Sequence, residues 1–390
     1  MIPKDLIYRI YGDSLAVIMN VKTKRIVLLK KEPLHFWKSI LNANKTDSSE
    51  RTNPAFEHLV RLGVADNFSH HTLSVPSEKH LLQNVQEADF CVFNLWAFRN
   101  HIPISGHFEL TARCNLRCRH CYCVFSKKKD SLSAEKIFGI LDNLKESGTF
   151  GLVLTGGEIF CREDIFDILK YLSEEKFVVR INSNGTMINE SAVKKMEGLS
   201  NIYRIHISLY SSEPDVHDWI TNTPGSYHKT LNALHLLKEA GFDLRINCSV
   251  MKSNFDTFKR VKYEIGDRMG IPVRFDSEIF PKDDGGSENL KERLADEQLC
   301  DFLRNKSNDE KEREPQRKPK LCKAGFSFFS ICEDGKLFPC MKMKRLYSNP
   351  LGNLSSDSFS SIWKYSESVK KIRESVDKKL EECDICDLMI

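Results

Sequence analysis

The segment TARCNLRCRHCYC sets Cys114, Cys118 and Cys121 at the spacing C-x3-C-x2-C. Thiolates are soft ligands, suited to zinc and to iron–sulfur clusters. A structural zinc site takes four ligands, as a rule in two closely spaced pairs. Three cysteines on one short loop suit a 4Fe-4S cluster instead, with one iron left open to a substrate or cofactor. A fragment of a zinc site is the plainer alternative. Further along, Thr155-Gly156-Gly157-Glu158 offers a glycine pair, where a ligand can approach bare backbone, followed by a carboxylate. Asn182-Ser183-Asn184-Gly185 and Ser208 offer polar groups suited to hydroxyls. Taken singly, each of these runs is a common turn.

A second group, Cys322, Cys332, Cys340, Cys383 and Cys386, lies near the C-terminal end. Glu333-Asp334-Gly335-Lys336 reads as a hairpin turn between apolar runs, which puts Cys332 and Cys340 on paired strands. Cys383 and Cys386 form a C-x2-C pair. Taken alone, four cysteines at these spacings favour a zinc site over a cluster. The remaining Cys91, Cys123, Cys161, Cys248 and Cys300 read as ordinary buried thiols.

The whole chain has 390 residues and 13 cysteines. A disulfide-rich secreted protein is short, even in cysteines and preceded by a leader. This N-terminus, MIPKDLIYRIYGDS, is broken by charges and does not read as one. Cysteines are then expected to be ligands, catalytic thiols or core residues in a reducing cytoplasm. No apolar run approaches the ~18 residues of a membrane span. A net charge of +4 is too mild to argue for nucleic acid. With 41% hydrophobic and 29% charged residues, the composition is that of a globular protein.

The elements that must position these residues are an alternation of strands and helices. Strands are expected at 104–110, 151–155, 177–182, 202–208, 243–250 and 271–275, with helices over 133–145, 162–175, 190–197, 226–240 and 254–269. Six β/α units imply a parallel sheet, doubly wound or a partial barrel, with chemistry at the C-terminal strand ends. The cysteine loop, the GGE run, the NSNG run and Ser208 all fall at such ends. Residues 1–70 form a separate unit. Strands at 6–11, 15–21 and 25–29, then helices at 33–44 and 53–62, give a winged-helix-like outline. Residues 71–103 read as a linker. Within 282–320, ten of the sixteen residues from 305 to 320 are charged and two are proline, which reads as a solvated linker.

With the C-x3-C-x2-C loop at the end of strand one, residues 104–281 resemble the radical S-adenosylmethionine enzymes. The resemblance implies a partial (β/α)6 barrel within an α/β fold. It implies that Cys114, Cys118 and Cys121 hold a 4Fe-4S cluster whose open iron chelates S-adenosyl-L-methionine. Reductive cleavage, fed by an external donor such as a flavodoxin or ferredoxin, would give a 5′-deoxyadenosyl radical. His120 would lie beside the adenine, and Gly156, Gly157 and Glu158 would hold the methionine amine. Ser183, Asn184 and Ser208 would lie near the ribose and carboxylate. The family often carries an arginine in an HDxxRG run; here the run is His217-Asp218-Trp219-Ile220-Thr221-Asn222, with Thr221 in its place.

The 321–390 module, with Cys322, Gly335 and Cys340 in a C-x12-G-x4-C pattern and an LGNL…SFSSIW run, resembles the SPASM and Twitch auxiliary-cluster domains. The chain stops four residues after Cys386, so one auxiliary 4Fe-4S cluster is expected, held by Cys322, Cys340, Cys383 and Cys386, with Cys332 as the competitor.

The N-terminal unit resembles the PqqD-like domains that bind leaders of ribosomally made precursor peptides, on the run IMNVKTKRIVLLKKEPLHFWKSIL and a helix ending Leu62-Gly63-Val64. Such a domain takes the leader as an added strand, here expected on the edge at 25–29. The combination implies a radical peptide maturase, an oxidoreductase forming an intramolecular thioether, carbon–carbon or ether crosslink. An epimerase, with Cys123 or Cys161 as hydrogen donor, and a serine- or cysteine-oxidising maturase are the rival chemistries, and small-molecule alcohol oxidation is a third. A zinc-stabilised scaffold or DNA-binding regulator is the non-enzyme alternative. The 53–62 helix lacks a basic face, so no nucleic-acid partner is expected, and no membrane partner either.

Overall fold

The computed structural model describes residues 6–12, 15–22, 24, 26–29, 85–87, 90–124, 130–311, 322–346 and 349–377. Six strands run in chain order across one parallel sheet: β5 (Ser105–Glu109), β6 (Gly151–Thr155), β7 (Val178–Ser183), β8 (Ile202–Ser208), β9 (Leu244–Ser249) and β10 (Val273–Asp276). Consecutive order across the sheet makes this a singly wound partial barrel, because a doubly wound sheet reverses direction at a switch point.

The strand sequences explain the two-sidedness. In β7, VVRINS, and β9, LRINCS, buried apolar residues alternate with polar ones. Val179, Ile181, Ile205, Ile207 and Ile246 form one core with the flanking helices. Those helices include α2 (Ala134–Glu146), α3 (Ile165–Glu174), α4 (Glu190–Glu197), α5 (Pro214–Thr221) and α6 (Ser226–Glu239). Ser133 caps α2 by accepting from Lys136 N, and Asn189 caps α4 by accepting from Ala192 N. The expected helix over 254–269 is present but carries a π-helical turn at Val261–Gly266.

Beyond β5 the sheet does not stop. β11 (Phe328–Ile331) pairs parallel with β5, and β12 (Lys336–Phe338) and β13 (Gly352–Asn353) follow, giving nine strands in all. The C-terminal module is thus an extension of the barrel sheet. A side chain at Gly106 would meet the Phe329 ring at 2.4 Å, so a bare backbone there lets β11 dock. Phe329 then packs with Phe359 and Trp363 of α8 (Phe359–Tyr365), and Trp363 Nε1 donates to His101 O at 2.7 Å.

At the N-terminus β1 (Leu6–Tyr11), β2 (Leu15–Asn20) and β3 (Ile26–Leu29) form where expected, whereas the helices expected at 33–44 and 53–62 lie outside the described residues. Two expectations are corrected. The supposed linker 71–103 supplies β4 (Val85–Glu87), which pairs with β3, and α1 (Phe90–Arg99). The edge at 25–29 is therefore already taken by the chain's own β4, leaving β1 and β4 as the outer strands of this sheet. The unit seats on the barrel through Tyr11, Phe93, Ile104 and Phe150. Arg9 donates to Thr149 O and Glu175 O at 3.0 Å each.

The stretch 282–304 is likewise packed. Asn289 is buried and donates to Phe280 O at 2.7 Å, and Phe302 joins the core from α7 (Asp296–Lys311). Helix α7 continues through part of the charged run, because glutamate and lysine are good helix formers.

Candidate active site

The cysteine loop leaves β5 and is seated on the end of β6. Gly157 N and Glu158 N donate to Thr111 O and Arg113 O, each at 2.8 Å. A Cβ at Gly156 would meet Thr111 O at 2.4 Å, and one at Gly157 would meet Arg113 O at 2.3 Å. The glycine pair thus lets the chain's own cysteine loop approach, besides lining the cavity. Arg162, buried, holds Leu110 O at 2.8 Å and Asp164, fixing where the chain enters the loop.

The other side of the loop is braced by α5. Arg117 N and Arg119 N donate to Thr221 O and Ile220 O at 3.1 and 2.9 Å. The Thr221 hydroxyl lies 2.6 Å from Ser226 Oγ. Asp218 accepts from Gly225 N, Ser226 Oγ and Tyr227 N, tying α5 to the start of α6. Thr221 therefore braces the loop from beneath.

Cys114, Cys118 and Cys121 line one cavity of about 350 Å³ at the C-terminal strand ends, together with His120, Gly156, Gly157, Ser183, Asn184 and Ser208. Burial pushes the Cys114 thiol up to about 12 and the Cys118 thiol up as well, with the neighbouring thiols adding to both. Three half-buried thiols crowded together are poor thiolates alone and become good ones on a cation that balances them. Leu116 N at 3.4 Å and Asn184 Nδ2 at 3.9 Å point to Cys114 Sγ, as donors to a ligating sulfur do. The donor set fits an iron–sulfur cluster.

His120 packs edge-on against Tyr210 at 4.7 Å, and Tyr210 stacks on His217. Burial and His217 lower His120 to about 4, so it faces the cavity as neutral imidazole. Its Nδ1, Asn182 Oδ1 and Asn247 Oδ1 are buried without a hydrogen-bond partner. Asn182 and Asn247 line the same cavity, so these atoms fit a polar cofactor rather than a packed core.

Glu158 lies behind the wall. It is 1% exposed, and its carboxylate accepts from Ser183 Oγ at 2.9 Å, Asn184 N at 2.7 Å and Phe160 N at 3.2 Å. It joins the ends of β6 and β7 and so sets Ser183 and Asn184. Burial raises its pKa from 4.5 to about 7 despite those donors. Below pH 4.5 folded and unfolded chains both carry this proton; between 4.5 and 7 only the folded chain keeps it. Stability is therefore expected to fall by about 3 kcal/mol across that window and level off above it. Urea unfolding of Glu158→Gln against pH is expected to lose that slope; an unchanged slope contradicts the assignment.

Of the two candidate hydrogen donors, Cys123 lines the cavity, with Sγ 3.8 Å from Gly156 O, whereas Cys161 does not line it. Cys300 is exposed, correcting its reading as a buried thiol, while Cys248 is buried. Tyr210, Asn247, Ser249, Arg274 and Asp276 also line the cavity and were not anticipated. For Asn247, Ser249, Arg274 and Asp276 the polar positions of β9 and β10 were the only local signal.

In the C-terminal module Cys332 and Cys340 flank the hairpin, with Cys332 N bonded to Lys336 O at 2.9 Å. Cys332 is buried beside Glu109 and Glu333. Cys322 is exposed and Cys340 half-buried, and Cys383 and Cys386 lie outside the described residues. Lys344, on the short helix Met341–Leu346, reaches Glu109 Oε2 at 2.8 Å and Asp283 Oδ2 at 2.9 Å, linking the module to the end of β5.

Comparison with known proteins agrees with this geometry. Residues 108–261 match the radical SAM superfamily, and residues 322–387 match the iron–sulfur cluster-binding SPASM domain. The chain is 24% identical over 311 residues, 72% of its length and 87% of the relative's, to an AdoMet-dependent heme synthase of Methanosarcina barkeri. It is 26% identical over 272 residues to the subtilosin biosynthesis protein AlbA of Bacillus subtilis, spanning 67% of this chain and 60% of AlbA. Its fold matches Streptococcus suis SuiB bound to S-adenosylmethionine with a TM-score of 0.64 and 16% identity, over 99% of this chain and 93% of SuiB. No helix among the described residues is long and apolar enough to cross a membrane. The cofactors are those of its two domains, S-adenosylmethionine with a 4Fe-4S cluster and an auxiliary iron–sulfur cluster. The chain thus carries a radical S-adenosylmethionine domain followed by a C-terminal SPASM domain.

Proposed function

We propose that this protein matures a ribosomally made precursor peptide, forming an intramolecular thioether, carbon–carbon or ether crosslink. The observation that carries the reading is the four-stranded N-terminal sheet seated on a barrel whose far end holds the three-cysteine cavity. SuiB, whose fold this chain follows over nearly its whole length, has also been solved with its precursor peptide SuiA. AlbA's part in subtilosin biosynthesis supports the same reading.

In this reading Cys114, Cys118 and Cys121 hold the cluster that, when bound with S-adenosylmethionine, supplies a 5′-deoxyadenosyl radical. His120 and Tyr210 shape the adenine side of the cavity. Gly156 and Gly157 present backbone to the methionine amine, with Glu158 fixing them and the Ser183–Asn184 turn from behind. Asn184 and Ser208 serve the ribose. Arg274, on the cavity wall, takes the carboxylate contact that Thr221 does not supply. Cys322, Cys340, Cys383 and Cys386 would hold one auxiliary cluster, which would supply one-electron transfer near the substrate. The leader adds as a strand beside β4 or in its place on β3, since β4 is only three residues long. A flavodoxin or ferredoxin of the cytoplasm supplies the electron.

The test is mass spectrometry of a short precursor encoded beside the gene, after reaction with the anaerobic holoenzyme, S-adenosylmethionine and dithionite. Loss of two hydrogens is expected. An unchanged mass with solvent deuterium gained would favour the epimerase reading, for which Cys123 on the cavity wall is the donor. Cofactor consumption with a tetrapyrrole and none with any peptide would overturn the peptide reading in favour of the heme synthase relatives' chemistry.

A further inference from the structure

Away from the cofactor cavity, the inner face of the barrel sheet gathers positive charge that the described residues balance only in part. Strand register sets Arg180 of β7 beside Arg204 of β8, and His206 of β8 beside Arg245 of β9. One pleat further along β9, Asn247 lies on the cavity wall beside Arg274 of β10. Side chains two residues apart on a strand share a face, so Arg180 and Arg245 project into the lumen as Asn182 and Asn247 do.

Two of these arginines have acids: Arg204 pairs with Asp243 at 2.5 Å, and Arg274 with Asp276 at 3.5 Å. Among the described residues, Arg180 and Arg245 have none within ion-pair distance. Arg180 Nε, His206 Nε2 and His107 Nδ1 are moreover buried without a hydrogen-bond partner. Burial, with repulsion from Arg274, Arg245 and Arg204, lowers Arg180 from its ordinary value. Burial, with Arg204 and Arg274, lowers Arg245. Burial and all four arginines push His206 down to about 3, so it is a neutral imidazole. Gathering cations where they repel one another and lack partners weakens a fold, which points to a ligand that compensates them.

We propose that Arg180 and Arg245 form a carboxylate-binding subsite in the barrel lumen, which takes an acidic side chain of the peptide presented for modification. This rests on the peptide-maturase reading for the source of the carboxylate. The two Cα atoms are two strands and one pleat apart, roughly 12 Å. Two extended arginine side chains can close that span onto one carboxylate, each offering a planar fork of donors. His206 Nε2 faces the same lumen as a further donor. The subsite is separate from the cofactor's own carboxylate contact, since neither Arg180 nor Arg245 lines the cysteine cavity.

The test follows the thermal midpoint of the anaerobic, cluster-loaded protein with S-adenosylmethionine as ligand is titrated in at fixed ionic strength. The probes are the acetylated, amidated peptides Gly-Gly-Glu-Gly-Gly and Gly-Gly-Gln-Gly-Gly, and glutarate against glutaramide. The wild-type protein is expected to bind the glutamate peptide at least about ten-fold more tightly than the glutamine peptide. In Arg180→Gln/Arg245→Gln that ratio is expected to fall to about one, and the ligand-free variant is expected to melt no lower than wild type, its repelled cations being gone. A wild-type ratio near one, a ratio that survives in the variant, or a ligand-free variant that melts lower would overturn the subsite. Arginine-dependent preference for glutarate over glutaramide, with neither peptide bound, would uphold the subsite and remove the peptide reading instead.

Discussion

Replacing Cys118 by alanine is expected to abolish cleavage of S-adenosylmethionine while the chain stays folded. Cys118 lines the cavity with Cys114 and Cys121. With one thiol gone, a four-iron cluster keeps two protein ligands on this loop, too few to hold it. Loss of a group that merely orients a ligand costs about 10–100-fold in metal affinity, and loss of the ligand itself costs more. The fold should tolerate the change at about 1 kcal/mol, because the loop is held by backbone bonds to Thr221, Ile220 and the Gly157–Glu158 amides. Iron content, visible absorbance and 5′-deoxyadenosine formation read the outcome together. Cys300→Ala, on an exposed face of α7, is the matched control and should keep all three. Equal iron and activity in Cys118→Ala would mean that the loop is not the cluster site.

The second large effect is expected at the seam between the barrel and the C-terminal module. Lys344 sits between Glu109 and Asp283, and the Glu109 side chain is only 3% exposed. Burial raises the Glu109 carboxyl above its ordinary value, and the Lys344 ammonium in direct contact pulls against that shift. Lys344→Met leaves Glu109 buried without its cation, and breaking such a pair costs about 3–5 kcal/mol. Lys344 N donates to Cys340 O at 3.3 Å, so a seam loosened by the stranded Glu109 is expected to disturb Cys340 and lower iron at the auxiliary site as well. Adding Glu109→Gln removes the stranded charge, and the double variant should recover more than half of the lost stability in urea unfolding. A single variant within about 1 kcal/mol of wild type would show that water reaches Glu109 freely.

How much of this was legible in the sequence varied with how local the cause was. The six barrel strands could be read because short apolar runs recur between helical stretches, with clear alternation in β7 and β9 and a continuous apolar run in β6. The cysteine loop could be read because its ligands are adjacent in sequence. By contrast, α1, with the sequence FCVFNLWAFR, has no polar stripe. Its Phe93 and Ala97 are covered by the N-terminal sheet and the barrel together, so the usual helical periodicity is absent. β4 is three residues long and gains its order from β3, far upstream. The pairing of β11 with β5, more than two hundred residues apart, also has no local signature. Gly106, which permits it, reads only as one more glycine in a strand.

The site shows the same division. The GGE run was visible as a motif, but its glycines admit the cysteine loop, and Glu158 serves the wall from behind. Asn182, Asn247 and Arg274 needed the register of three strands to come together. The Glu109–Lys344–Asp283 contact joins three distant segments by charge alone.

The most direct test of the account is the formation of 5′-deoxyadenosine by the anaerobically reconstituted protein, given S-adenosylmethionine and a strong reductant. The account predicts 5′-deoxyadenosine and methionine in equal amounts from iron-loaded protein. Intact S-adenosylmethionine in the presence of a fully loaded, reduced cluster would contradict it.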